Sequence, residues 1–120
     1  MNINQKRTKF GKKIRDEILA KTHGRCGYCG CSLEGKKFAL DHMHPLKKGG
    51  ADEYRNLIAS CMQCNHYKAT FTIEQFRENI SKTVERLVSR SLTGRIAHSF
   101  GLLKENPCIE FFFEKLTKTV

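Results

Sequence analysis

Four cysteines stand in two Cys-x-x-Cys pairs, Cys26 with Cys29 and Cys61 with Cys64, and around them lie an Asp-His pair, Asp41-His42, and two asparagines, Asn56 and Asn65. Thiolates from two such pairs supply the four ligands of tetrahedral zinc, and four protein ligands leave no open position for a substrate. A zinc held there is structural. A carboxylate and an amide oxygen are hard donors that suit magnesium or manganese, and an imidazole titrates near neutral pH and suits proton transfer. The same short segment therefore holds ligands for one metal that builds and for another that works. Two accidental pairs, or a redox pair, are the competing readings of the cysteines. No βαβ pattern surrounds either pair, which counts against redox chemistry. Cys31 and Cys108 are read as free thiols.

Phosphodiester hydrolysis needs a base to take a proton from water and a cation to offset charge on the phosphate and on the leaving oxygen. His42 fits the base, and Asp41 fits the cation. A loop amide such as Asn56 can hold the imidazole in one orientation. Asn65 can offer its oxygen to the same cation. Lys68, one turn beyond Asn65, shares its helix face and can meet a phosphate. His66 is the alternative ligand. At about 100° per residue it points away from Asn65, so the two do not share one ion. Each residue also has a plain alternative: Asp41 in a turn, His42 as a satisfied strand-end histidine, Asn56 and Asn65 as caps, and Lys68 as surface.

At these positions the chain resembles the HNH nuclease family, in its branch with two zinc knuckles. That pattern runs C-x-x-C, D-H-x-x-P, an N-L pair, then C-x-x-C-[H/N]-x-x-K. It is met here by Cys26 and Cys29, Asp41-His42 with Pro45, Asn56-Leu57, Cys61 and Cys64, Asn65 and Lys68. The resemblance spans about residues 23–70. It implies a ββα-metal core with His42 as general base, Asn56 orienting it, and Asp41 and Asn65 holding the catalytic ion. It also implies DNA as substrate, products with 5′-phosphate and 3′-hydroxyl ends, and a short helix lying toward the minor groove. Asn65 stands where the family often has a histidine, and a neutral oxygen donor there favours a hard ion over zinc.

The elements that must position these groups follow from pattern. Phe10, Ile14 and Ile18, with Leu19, recur at helical spacing among lysines and arginines, so residues 7–22 read as a basic helix that Gly24 ends. Residues 37–42 read as a strand, Pro45 and Gly49-Gly50 as a loop, residues 57–60 as a second strand, and residues 62–69 as a short helix. The order is β-loop-β-α. Thr72 with Gln75 has capping-box form, and Phe76, Ile80, Val84, Leu87 and Val88 continue a helix over residues 73–90. Gly94 is read as a break, residues 95–106 carry no clear period, and the aromatic run 108–113 reads as a strand. The fold class is α+β: a small core stapled by zinc, flanked by a basic N-terminal helix (1–22) and a C-terminal helical and strand extension (71–120), one domain in all.

The net charge of +10 over 120 residues is uneven. Residues 1–25 hold eight basic residues against two acidic ones. Such an excess draws polyanions, and Lys9, Lys12, Lys13 and Arg15 are the expected DNA-backbone contacts. The segment's polar start carries no apolar leader and the chain no long apolar run, which gives the expectation of a cytoplasmic, non-membrane protein with reduced cysteines. The leading expectation is a metal-dependent DNA endonuclease or nickase. The alternative is a non-catalytic zinc module that binds nucleic acid, with the Asp-His pair structural.

Overall fold

The computed structural model describes residues 10–105 and 108–118. Two antiparallel strands, β1 (Phe38–His42) and β2 (Leu57–Cys61), form a ribbon paired Phe38 to Cys61 and His42 to Leu57. This register puts the second knuckle and the Asp-His pair at opposite ends of the ribbon. Helix α2 (Met62–Lys68) leaves β2 directly at Cys61 and runs back along it, so that Lys68 reaches the His42 carbonyl at 3.0 Å. Seven helical residues rise about 10 Å against about 16 Å for a five-residue strand, so the helix brings the chain back toward the far end and the long Lys68 side chain covers the rest. Helix α1 (Lys12–Lys21) packs against β2.

The core of this unit is Ile18, Tyr28, Leu33, Leu40, Leu57, Ile58 and Phe111, all nearly sealed from solvent. Gly27 in the first knuckle sits hard against β2. Its amide donates to the Ala59 carbonyl at 2.8 Å, and any Cβ there would collide with the Ile58 side chain. Glycine is required by that close approach.

Chain contacts separate two compact units, residues 1–72 with 111–120, and residues 73–110. The second unit holds α3 (Ile73–Ser81), α4 (Thr83–Arg90) and α5 (Leu92–Ser99). The single helix expected over residues 73–90 is two helices. At Lys82 the backbone leaves helical geometry (φ −99°, ψ 4°), while the Ser81 and Thr83 hydroxyls donate to the Glu78 and Ile80 carbonyls at 2.7 and 2.8 Å. Hydroxyls that bond nearby backbone offer it an alternative to the helical ladder. Gly94, expected as a break, lies inside α5, which the Ser91 hydroxyl caps by accepting from the Gly94 amide at 3.0 Å. A Cβ at Gly94 would stand 2.5 Å from the Leu87 carbonyl oxygen, so the glycine lets α5 approach α4 closely.

The aromatic run expected as a strand over 108–113 forms none: Cys108–Phe111 are irregular, and Phe112 and Phe113 open helix α6 (Phe112–Lys118), which belongs to the first unit. Its first amides still pair with the knuckle: Phe112 donates to the Tyr28 carbonyl at 3.0 Å and Phe113 to that of Gly27 at 2.8 Å. The aromatics face Tyr28 rather than a third strand. The basic helix is shorter than expected. It starts at Lys12, only Ile18 of its apolar stripe is fully buried, and residues 7–9 lie outside the described residues.

Candidate functional site

Cys26, Cys29, Cys61 and Cys64 bring their four sulfurs within 4.8 Å of one another, positioned for a zinc site. Each knuckle turns amides onto sulfur: Tyr28 and Cys29 donate to Cys26 Sγ at 3.4 and 3.5 Å, and Cys64 donates to Cys61 Sγ at 3.3 Å. The Cys64 thiol, hydrogen-bonded to Cys26, holds the latter's pKa down to about 4. Hydrogen bonding to Cys26 and burial push Cys64 up, and burial pushes Cys29 up to about 12. Thiols so crowded favour a single negative charge among them, and a divalent cation at their centre displaces the remaining protons. Cys31 and Cys108 form no disulfide among the described residues and stand outside the four-sulfur group.

At the other end of the ribbon the Asp-His pair is built from its neighbours. Asp41 is buried. The Tyr28 hydroxyl donates to its Oδ2 at 2.6 Å, and the Lys68 ammonium lies 2.9 Å from the same oxygen. Tyr28 is a knuckle residue, pinned by edge-on contacts with Phe111 and Phe113 at centroid distances of 5.4 and 6.2 Å. Burial and the Asp41 carboxylate push the Tyr28 phenol far above its ordinary range, so it remains a donor. Both bonds fall on Oδ2. Among the described residues no buried side-chain polar atom lacks a partner, so Oδ1, which accepts none, keeps access to solvent.

Lys68 is sealed completely, with no exposed side-chain surface. It is therefore not the surface phosphate contact expected from its place on the helix. A buried carboxylate needs a counter-charge, and Lys68 supplies it while donating to the His42 carbonyl.

His42 is also nearly buried, and its ring partner is Asp52: Nε2 lies 2.7 Å from Oδ1. Asn56, expected to hold the ring, bonds backbone instead. Its Oδ1 accepts from the His44 amide at 2.9 Å, and its Nδ2 donates to the His44 carbonyl at 2.9 Å and the Ala51 carbonyl at 2.8 Å. The Asn56 carbonyl also accepts from the Met43 amide at 2.8 Å. Asn56 thus fixes the loop that follows His42 and the residue that precedes Asp52. It acts on the ring through the chain. Asp52 lies outside the motif spacing that singles out Asn56. The only signal for it in sequence is an acid four residues before that asparagine.

Asn65 is half-buried on α2, one turn before Lys68, and its side-chain amide has no partner among the described residues. His66 beside it is exposed. Asp41 Oδ1 and the Asn65 side-chain oxygen are thus hard donors left uncommitted among the described residues, and donors of that kind suit a magnesium-type ion rather than a soft one.

The expected DNA contacts divide. Lys12 and Lys13 are exposed, Lys12 beside Asp16 at 2.9 Å. Arg15 is turned inward. Its guanidinium donates to the Phe38 carbonyl at 2.9 Å and lies over the Phe38 ring at 4.6 Å, so it braces α1 against β1. Lys9 lies outside the described residues. His44, Lys47 and Lys48 add exposed cationic or titratable groups on the loop beside the His42–Asp52 pair.

A two-stranded ribbon, a short helix crossing it and a four-sulfur cluster at one end define a small α+β knuckle domain. Residues 26–70 match the family model described as HNH endonuclease, so this segment carries that family's pattern. No curated protein matches the chain. Among the described residues no helix is long and apolar enough to cross a membrane.

Proposed function

We propose that the protein is a metal-dependent endonuclease or nickase acting on DNA, with a structural zinc on the four cysteines. The observation that carries this reading is that each reactive side chain has one atom held and another left open. Asp41 is fixed through Oδ2 and His42 through Nε2, and both lie in the segment that matches a nuclease family.

In this reading His42 takes the proton from the attacking water. Asp41 and Asn65 would hold a magnesium or manganese ion, which when bound would offset charge on the phosphate and on the departing oxygen. Lys68 and Tyr28 hold the Asp41 carboxylate in one orientation. Asn56 keeps the loop beside His42 in one shape. The exposed lysines, Lys12, Lys13 and Lys47 among them, attract the DNA backbone without reading sequence.

One observation favours a second reading. Lys68 already neutralises Asp41, as it would in a purely structural pair, and this suits a non-catalytic zinc module that binds nucleic acid. Supercoiled plasmid incubated with magnesium or manganese, beside His42→Ala, separates the two. Cleavage by the parent protein, lost about 10²–10⁴-fold in the variant with zinc and DNA binding kept, supports the nuclease. Equal rates for both proteins refute it.

A further inference from the structure

The His42 ring has a definite partner that no part of the motif accounts for. Nε2 lies 2.7 Å from Asp52 Oδ1, with the two side chains 7% and 20% exposed. An imidazole N–H donating to a carboxylate is a charge-assisted bond, and this length is at the short end for one. Asn56 cannot supply the same bond, because its side-chain oxygen and nitrogen are spent on His44 and Ala51. Among the described residues Nδ1 makes no hydrogen bond. Since no buried side-chain polar atom among the described residues is left without a partner, Nδ1 must reach solvent.

We infer that Asp52 is the positioning residue of the site: it accepts from His42 Nε2–H, holds the ring, and leaves Nδ1 as the nitrogen that takes the proton from water. The inference rests on the nuclease reading for its chemistry, and on the Asp52–His42 contact for its geometry.

A carboxylate has only acceptors, so it can bond Nε2 only when that nitrogen carries the hydrogen. The neutral ring is thereby set with its lone pair on Nδ1. When Nδ1 gains the proton, the Asp52 carboxylate faces the imidazolium and stabilises it. The same logic assigns the acid of a Ser-His-Asp triad to orientation and charge stabilisation rather than to proton uptake. Asn56 adds a second level, since its bond to the Ala51 carbonyl fixes the chain immediately before Asp52. The loop then delivers acid and imidazole together, which explains why a residue outside the strand is needed at all.

The test uses the full zinc-loaded chain with ¹⁵N-histidine, followed with rising pH until the ring signals no longer change. His42→Gln identifies which of the five histidine signal sets belongs to His42. In the parent protein Nε2 should carry the proton, as a low-field resonance slow to exchange, and Nδ1 should show the shift of an unprotonated nitrogen. In Asp52→Asn that low-field resonance should be lost. Single-turnover cleavage of saturating DNA should fall about 10²-fold or more, by analogy with loss of a triad acid. Zinc content, DNA affinity and manganese affinity should hold. Asp52→Glu should restore part of the rate.

A proton found on Nδ1 in the parent protein overturns the inference. So does a parent-like rate for Asp52→Asn. A loss of manganese affinity in Asp52→Asn, with the rate recovered at high metal, makes Asp52 a metal ligand and overturns it equally. If Asp52→Asn does not fold, Asp52→Ala and the parent spectrum alone decide the geometry. Failure of the parent protein to cut any DNA sinks the nuclease reading instead. The ring's protonation pattern is read without it.

Discussion

Replacing Lys68 with methionine separates two incompatible roles for that residue. A surface lysine that touches phosphate would leave stability within about 0.5 kcal/mol of the parent and lower the salt slope of DNA binding by about one unit. The structure places Lys68 elsewhere, fully buried with its ammonium 2.9 Å from Asp41 Oδ2 and 3.0 Å from the His42 carbonyl. At that separation and an effective dielectric of about 20, Coulomb attraction alone is about 6 kcal/mol. Relaxation and the remaining Tyr28 bond reduce the loss, and breaking one side of a buried pair costs about 3–5 kcal/mol. With a urea slope of about 2 kcal/mol per molar, the midpoint of Lys68→Met should fall by about 1.5–2.5 M. Lys68→Met combined with Asp41→Asn should recover much of that loss, because no unpaired charge remains. The assay is urea unfolding of the zinc-loaded protein, followed by tyrosine fluorescence and by circular dichroism so that coincident transitions can be checked. A Lys68→Met protein as stable as the parent refutes the buried-pair argument, and a reduced salt slope in that same protein restores the phosphate contact.

Protein purified without added zinc should carry one zinc per chain, and Cys26→Ser or Cys64→Ser should lose both the metal and the fold, because metal affinity here is folding energy; a folded, zinc-free parent protein in metal analysis would count against it. Tyr28, whose folded pKa is raised by burial and by Asp41, should add stability that is fully present below its ordinary value of about 10 and lost as pH climbs toward the raised value. In an alkaline absorbance titration one of the three tyrosines should therefore ionise only on unfolding, and Tyr28→Phe should remove that late step. Neutralising Lys12, Lys13 and Lys47 together should weaken DNA binding and lower its salt slope by up to about 3 units, while Arg15→Gln should lower stability more than the slope; the reverse order in salt-titrated binding and urea curves would undo the assignment of Arg15 to bracing.

The knuckles, both strands and α2 were legible because their signals are local. Cysteine spacing, a strand-breaking proline and a double glycine act within a few residues. What stayed hidden depended on partners far away in sequence. Lys68 looks like any helical lysine until Asp41, on another strand, is seen to need a counter-charge. Arg15 looks like one more cation until the Phe38 carbonyl and ring lie beneath it. Gly94 reads as a break, yet a neighbouring helix backbone makes glycine the residue that fits. The long helix over 73–90 failed at Ser81 and Thr83, whose hydroxyls captured carbonyls that the apolar period does not register. Asp52 was missed for a related reason: motif spacing points to the asparagine that shapes the loop, and only coordinates show the acid that this loop delivers.

The aromatic wall behind Tyr28 has a consequence for the order of events during synthesis. Both cysteine pairs have been made by residue 64, so a nascent chain can fold its knuckles early, as chains do from the N-terminal side while still being made. Phe111 and Phe113, which pin the tyrosine that bonds Asp41, are added some fifty residues later, after the whole of the helical unit 73–110. A ribosome-bound intermediate would therefore have all four cysteines and Lys68 beside Asp41, while Tyr28, the other group that bonds the acid, still lacked its aromatic support. Maturation of the two ends of the ribbon is separated in time, and the end carrying the Asp-His pair is finished last.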